Sequence, residues 1–227
     1  MKSRIVLLGA PGSGKGTQAE MITRHFAISV TSPGTILRRE RDLETPLGLK
    51  ADEIAKQGGL VPDDIIVKLI GDGLDLHGKE GFVFDGFPRT VTQAERLDEI
   101  LANNCTALDL ALWLEVSEET VRDRIASRLQ CRRCGFTTSL SSATFAQRPV
   151  CPYCDGPLIR REDDDASVLQ NRLVEYRSKT EPLLSFYEKN DALHRIDGNR
   201  DRETVFADIS ALLEDRVKWS RSSRRGG

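Results

Sequence analysis

The sequence is short of several things, and each shortage closes off a class of protein. Its three histidines, His25, His77 and His194, have no partner at a ligating spacing, so none is given a role. No apolar run approaches the roughly 18 residues that a bilayer-spanning helix needs. A basic-then-apolar leader with a cleavage site is also missing, which leads to the expectation of a cytoplasmic protein. The formal net charge is only −2, too small for a general nucleic-acid or membrane binder. In that compartment the five cysteines are not read as a disulfide framework. There is no internal repeat. What remains is a globular composition, 39% hydrophobic and 30% charged over 227 residues. That length suits one domain with a substantial core, or a core carrying small insertions.

Residues 7–18 read LLGAPGSGKGTQ and organise the rest. An apolar run (Ile5, Val6, Leu7, Leu8) enters a glycine-rich loop, and a helical pattern from Thr17 to Phe26 leaves it. The frame Gly9-x-x-x-x-Gly14-Lys15 at such a turn binds phosphate. Glycines let backbone N–H groups approach phosphate oxygens, the helix N-terminus adds partial positive charge, and Lys15 adds a full one. Lys15 is followed by Gly16, not by a serine or threonine, so the usual hydroxyl ligand to magnesium is missing there and Thr17 stands one place on.

Four further strands are predicted: Ile28–Thr31, Gly81–Phe84, Leu108–Val116 and Leu193–Asp197. Ser32-Pro33-Gly34 reads as a turn, and Thr35–Gln57 as mostly helical with a break near Pro46. Pro62, Asp63 and Asp64 start another helix. Helices are also predicted over Thr92–Ala102, from the Ser117 cap to about Leu129, over Ser167–Lys189 and over Arg202–Trp219. Strands alternating with helices imply an α/β fold with an open five-stranded parallel sheet and helices on both faces. Ligands of such sheets sit beyond the carboxyl ends of the strands. The Gly9 loop, the Asp85 motif and the Asp197-Gly198 turn should therefore share one edge.

A second motif, Asp85-Gly86-Phe87-Pro88-Arg89-Thr90, follows a predicted strand. An aspartate there can hold magnesium through waters, and an arginine fork matches a phosphate. GAPGSGKGTQ, DGFPRT, Leu60-Val61-Pro62-Asp63 and Asn171-Arg172-Leu173 together resemble adenylate kinase of the long type with an inserted lid, over about residues 3–215. The resemblance implies reversible phosphoryl transfer from Mg-ATP to AMP, giving two ADP. It implies a core over 1–217, interrupted by an AMP-binding insert at 32–61 and a lid at 129–165; residues 218–227, ending in SRSSRRGG, read from their basic, small-residue composition as a flexible tail. A monomer with no nucleic-acid or membrane partner is expected.

Residue roles follow from the resemblance where positions match. Gly12, Ser13, Gly14, Lys15, Gly16 and Thr17 would hold the ATP phosphates. Arg124 resembles the arginine that lies on the ATP adenine, and Gly198 and Arg200 the turn beside it. Arg38 and Arg89 would grip the AMP phosphate. Gly86, Gln93 and the Gly59-Leu60-Val61 backbone would receive the AMP base. Arg128, Arg161 and Arg172 resemble the cluster that neutralises the transferring group, and Asp85 would organise magnesium. Arg124 and Arg128, four apart, are expected on one helix face. Phosphoryl transfer needs in-line placement and charge neutralisation, with little covalent chemistry. In the acceptor segment the family usually has Ser-Thr-Gly-Asp, and here Ser32-Pro33-Gly34-Thr35 stands. Pro33 and Thr35 put nucleotide preference in question, not the reaction class.

Cys131-x-x-Cys134 and Cys151-x-x-Cys154, with 16 residues between the pairs, have zinc-ribbon spacing. Four thiolates leave no open position, so the zinc would be structural, stapling an insert that has little core. An iron–sulfur centre is the other use of such thiolates; zinc is the reading adopted. Arg132, Arg133 and Arg148 are read as a solvated face, with nucleotide contact as the alternative. After Cys134 the chain reads Gly135-Phe136-Thr137-Thr138, where zinc lids often have a Tyr-His pair, which puts ATP contacts from Thr138 and Ser139 in question. Glu162-Asp163-Asp164-Asp165 is expected to be a solvated hinge partly paired to lid arginines, and Cys105 to be half-buried. Two other functions compete: a nucleoside monophosphate kinase with a different acceptor, and, more remotely, a nucleotide-sensing nucleic-acid binder built on the zinc ribbon and basic tail.

Overall fold

Five of the six residues of Arg4–Gly9 (β1) are fully buried, because both faces of the strand are covered. The computed structural model describes residues 3–77, 81–140 and 150–222, with side chains described for all of these except 72–77, 162 and 216–222. After β1 come α1 (Lys15–Phe26), β2 (Val30–Thr31), α2 (Pro33–Asp42), α3 (Pro46–Lys56) and α4 (Asp63–His77). Then follow β3 (Phe82–Asp85), α5 (Val91–Asn103), β4 (Leu110–Glu115) and α6 (Glu118–Ala126). The strands β5 (Arg128–Cys131), β6 (Thr137–Ser139) and β7 (Leu158–Ile159) precede a 3₁₀ turn at Glu162–Asp164. The chain ends with α7 (Ala166–Glu175), a π-helical turn at Tyr176–Thr180, α8 (Leu183–Lys189), β8 (Leu193–Asp197) and α9 (Arg202–Ser222).

The main sheet has the order β2-β3-β1-β4-β8, and every pairing is parallel. Alternate residues serve opposite faces, as strand geometry requires. Val6, Leu8, Phe82, Phe84, Ala111 and Trp113 pack with α4, α5 and α8 residues such as Ile70, Leu97 and Leu183. Ile5, Leu7, Val83, Leu112 and Leu114 face Ala19 and Ile22 of α1 and Val205, Ile209 and Leu213 of α9. The register sets Leu7 against Asp85, Gly9 against Leu114, and Glu115 against Asp197. The phosphate loop, Asp85 and the Asp197-Gly198 turn therefore leave the sheet at one edge, as expected. Among the described residues no helix is long and apolar enough to cross a membrane.

Several local expectations need correction. Ser32-Pro33-Gly34 is not a separate turn: Ser32 is the N-cap of α2 and Pro33 opens it, where a missing N–H costs nothing. The helix from Ser117 stops at Ala126, because Leu129 pairs with Thr138 in an antiparallel sheet of order β6-β5-β7. Arg124 and Arg128 therefore stand on different elements. The helix expected over Ser167–Lys189 is interrupted by the π turn and by Pro182, which has no N–H to donate. Cys105 is exposed at φ 52, not half-buried. The last helix reaches Ser222; Arg148, the side chain of His77 and residues 223–227 lie outside the described residues.

At Gly48 the backbones of α2 and α3 approach closely: a Cβ there would lie 2.1 Å from Arg41 N. Gly48→Ala should lower the unfolding free energy in urea by about 1–3 kcal/mol, the usual cost of overpacking. Lys50→Ala, on the exposed side of the same helix, should change it by no more than about 0.5 kcal/mol. Equal stability of wild type and Gly48→Ala would show that the helix pair relaxes without cost.

Candidate active site

The loop between β1 and α1 curls because Gly9, Gly12 and Gly14 take φ of 140°, 80° and 100°, a region closed to most side chains. Gly14 is the N-cap of α1 and makes no side-chain cap bond, so the first N–H groups of the helix are left for a ligand. Lys15 folds back over the loop: its Nζ donates to Gly9 O at 2.8 Å, Ala10 O at 2.8 Å and Ser13 Oγ at 3.3 Å. Burial pushes the ammonium down from 10.5 to about 7; Asp85 opposes that shift, and Arg89, Arg172 and Arg128 add to it. A Cβ on Gly16 would stand 3.4 Å from Asp85 Oδ2. The residue that replaces the usual hydroxyl thus lies directly beside the Asp85 carboxylate, with room for no more than a methyl group between them.

One cleft of about 1900 Å³ is lined by the loop residues Gly12–Thr17 and by Pro33, Arg38, Gly59, Leu60, Val61, Asp85, Gly86, Arg89 and Gln93. Arg124, Arg128, Arg161, Arg172 and Arg200 line it too, so the structure brings every predicted nucleotide-site residue into one space. Arg89 donates from Nε to Gly86 O at 2.9 Å, and Arg38 from Nη2 to Thr35 Oγ1 at 3.0 Å. Burial, with Arg161 nearby, lowers the Arg38 guanidinium to about 9, which leaves it charged at neutral pH.

The acidic stretch before α7 is not a solvated hinge. The Asp163 and Asp164 side chains are only 18% and 6% exposed. Asp164 pairs with Arg128, whose Nε reaches it at 2.7 Å, and Asp163 pairs with Arg161, whose Nε reaches it at 2.8 Å. Arg172 Nη1 lies 3.0 Å from Asp163 and 3.4 Å from Asp164. The Arg161 and Arg172 cations hold the Asp163 carboxyl well below the usual range, against burial, which raises it. Burial lowers Arg172 to about 10. Sequence reasoning missed both aspartates as site residues. The signal was present: a run of acids beside arginines that must gather without a ligand.

On the other side of the loop, Arg124 donates to Gly198 O at 2.8 Å, Arg200 O at 3.2 Å and Ser13 O at 3.3 Å. It ties α6, the loop and the turn after β8 together. The Arg200 side chain turns away to Asp208 at 2.5 Å, so its backbone is what faces Arg124. The small sheet sits over the cleft, where the Arg24 guanidinium lies 4.2 Å from the Tyr153 ring centroid and donates to its hydroxyl at 2.8 Å. The sulfurs of Cys131, Cys134, Cys151 and Cys154 all lie within 4.8 Å of one another. A tetrahedral thiolate site with Zn–S of about 2.3 Å needs sulfurs about 3.8 Å apart, so the set suits zinc. Gly156 makes room for it, since a Cβ there would lie 2.9 Å from Cys131 Sγ. Arg133 is not simply a solvated residue: it donates to Cys154 O at 2.9 Å, joining the two knuckles.

Asp163→Asn should destabilise the ligand-free protein at pH 7 by about 1.5–3 kcal/mol, the range for hydrogen bonds to charged groups. The folded carboxyl is depressed, so its stabilisation is complete above the ordinary value of 3.8 and is lost as pH falls below that value. Urea titrations of both proteins at pH 7 and pH 3 check this; a gap that does not narrow at pH 3 would contradict it.

A family model described as adenylate kinase matches residues 7–192. The adenylate kinase of Clostridium tetani (strain Massachusetts / E88) is 39% identical over 210 residues, covering 92% of this chain and 97% of that protein. The adenylate kinase of Thermoanaerobacter sp. (strain X514) is 42% identical over 216 residues, covering 95% of this chain and 100% of that protein. The adenylate kinase of Erythrobacter litoralis (strain HTCC2594) is 41% identical over 212 residues, covering 92% and 99%. The phosphate loop, the arginine cleft and similarity along nearly the whole length agree: this chain belongs to the adenylate kinase family.

Proposed function

We propose that this chain reversibly transfers the γ-phosphoryl group of Mg-ATP to AMP, giving two ADP, as a cytoplasmic monomer with no nucleic-acid or membrane partner. One observation carries the reading: the phosphate loop and Arg38, Arg89, Arg128, Arg161 and Arg172 line a single cleft. A cleft that gathers so many cations needs polyanions to fill it, and two nucleotides meeting end to end supply them.

The N–H groups of Gly12–Thr17 hold the donor phosphates, and Lys15 moves from loop carbonyls to phosphate oxygens. Arg124 and the Gly198–Arg200 backbone bound the donor base. On the acceptor side Arg38 and Arg89 hold the phosphate of AMP, while Gly86, Gln93 and the Gly59–Val61 backbone receive its base, with Pro33 at the rim. Arg128, Arg161 and Arg172 turn from Asp163 and Asp164 to the transferring group. These residues align the two phosphates in line and stabilise equatorial oxygens, without a protein nucleophile. Magnesium, bound with ATP, neutralises charge on the phosphates; Asp85, beside Gly16 of the phosphate loop, would hold it through waters. The inserts at 32–61 and 129–165 close on the 1–217 core, exclude water and so suppress hydrolysis of ATP. Cys131, Cys134, Cys151 and Cys154 would hold a structural zinc in the lid.

Pro33 and Thr35 favour a second reading, in which another nucleoside monophosphate is the preferred acceptor. A panel of AMP, GMP, CMP and UMP with Mg-ATP decides. AMP should give the highest kcat/KM; a different best acceptor would move the specificity, and turnover of none would sink the kinase reading.

Phosphate oxygens return the Lys15 ammonium towards its ordinary range, so ATP binding at pH 8 should take up a proton. Calorimetric titration in buffers of different ionisation enthalpy reads that uptake, and Lys15→Met should abolish it. A binding enthalpy independent of buffer would contradict the prediction. Metal analysis should find about one zinc per chain, and a chelator should lower the melting temperature. No zinc together with an unchanged melting temperature would remove its structural role.

A further inference from the structure

Gln93 is 98% buried by its neighbours, at 2% relative exposure, yet lines the cleft on the acceptor side. Each end of its amide is committed to a different partner. Oε1 accepts from Arg89 N at 2.7 Å, and Nε2 donates to Asp63 Oδ1 at 2.7 Å. The other Asp63 oxygen accepts from Thr90 Oγ1 at 2.7 Å, which stops the carboxylate from turning away. Thr90 is itself held, because its Oγ1 accepts from Gln93 N at 3.1 Å as the N-cap of α5. The amide orientation needs no choice between look-alike atoms: a backbone N–H can only donate and a carboxylate can only accept. Turning the amide over would set Oε1 against the carboxylate and Nε2 against the N–H, so both hydrogen bonds would become repulsions.

This bracing leaves Gln93 one spare N–H and one spare lone pair, in a fixed order. A 6-aminopurine presents a ring-nitrogen acceptor beside an amino donor. A 6-oxopurine presents, at the same two positions, a ring N–H donor beside a carbonyl acceptor. A free glutamine amide suits either edge by rotating half a turn, whereas a braced one suits a single edge. We propose that Asp63, at the first turn of α4, is a positioning residue that fixes the Gln93 amide and thereby makes the acceptor site select 6-aminopurine over 6-oxopurine nucleotides. The proposal rests on the adenylate kinase reading above, in which Gln93 receives the acceptor base. It places the selectivity in a residue that need not touch the nucleotide. It also explains why selectivity can survive the changes at Pro33 and Thr35, which lie on a different helix from Asp63.

Asp63→Asn tests it, because a carboxamide of the same size donates as well as accepts, so it removes the Asp63 half of the brace and leaves only the Arg89 N–H to oppose a turned Gln93 amide. The probes are AMP and IMP with Mg-ATP; IMP carries the 6-oxo edge without the extra amino group of GMP. The IMP:AMP ratio of kcat/KM should rise about tenfold, equivalent to 1.4 kcal/mol. The change should be carried by the KM values of the two acceptors, with the KM for ATP unmoved. Asp63→Glu, which restores an acceptor-only group, should return the ratio towards wild type. If Asp63→Asn does not fold, Asp63→Ser serves, since a hydroxyl also donates and accepts. A merely structural role would lower turnover of AMP and IMP alike, and an unchanged ratio in a folded variant overturns the proposal. Failure of the wild-type chain to use any acceptor overturns the kinase reading itself, which is a distinct result.

Discussion

Repulsion among cations at one edge of the sheet is the constraint on which the rest of the structure depends. Lys15, Arg38, Arg89, Arg128, Arg161 and Arg172 line one cleft, and without counter-ions their mutual repulsion would open it. Asp163 and Asp164 supply that compensation at 2.7–3.4 Å. The compensation is partial by design of the chemistry: two carboxylates face three guanidiniums directly, so a net positive field remains for phosphate. Buried ion pairs of this kind add little net stability over an apolar core. Their value lies in holding the cations in place until a polyanion arrives.

The parallel sheet is what allows the cations to converge. All five strands point the same way, so their carboxyl ends, and the loops that follow them, gather on one side. The turn after β1 brings Lys15 at the start of α1, and the end of β3 and the loop after it bring Asp85, Gly86 and Arg89. The turn after β8 brings the carbonyls that hold Arg124. Arg38 and Arg128 come from segments that leave the sheet altogether, and they reach the same space because those segments fold back over it. The continuous apolar runs of β1 and β4 therefore bear on chemistry: clad by helices on both faces, these two central strands fix where the loops after them leave the sheet.

Much of this was legible in the sequence, and the failures have physical causes. The phosphate loop, the five-strand core and the four-cysteine cluster are local or periodic signals, readable from glycine spacing, apolar runs and Cys-x-x-Cys pairs. The gathering of arginines from Arg38 to Arg172 was read only through family resemblance, because nothing in a single arginine separates a cleft residue from a solvated one. The helical pattern from Ser117 continues through Arg128 in the sequence, but the pairing of Leu129 with Thr138 in the lid sheet overrides that local preference. The run Glu162-Asp163-Asp164-Asp165 reads as solvent-facing, because acidic runs usually are. The burial of Asp163 and Asp164 depends on Arg172, on the helix that follows, and on Arg128, which is 36 residues from Asp164 and joins them only through the fold. The bracing of Gln93 by Asp63 joins residues 30 apart and leaves no local trace.

The lid follows a different economy from the core. Its buried cluster consists of Leu129, Cys131, Cys151 and Leu158, with Phe136 and Cys154 packed against it. Half of those residues are cysteines, so the sulfur cluster and the hydrophobic core are the same object. A small apolar core of that size cannot by itself offset the entropy of ordering three short strands, and a tetrahedral ion would close the gap. Among the described residues, contacts that join this segment to the core include Arg24 with Tyr153, Ser139 with Ser127, and Leu140 N with Ser127 O. The turn that returns the chain from β7 to α7 carries Asp163 and Asp164. Lid placement and charge compensation in the cleft thus reside in the same few residues, and any anion that competes for Arg128, Arg161 and Arg172 acts on both at once.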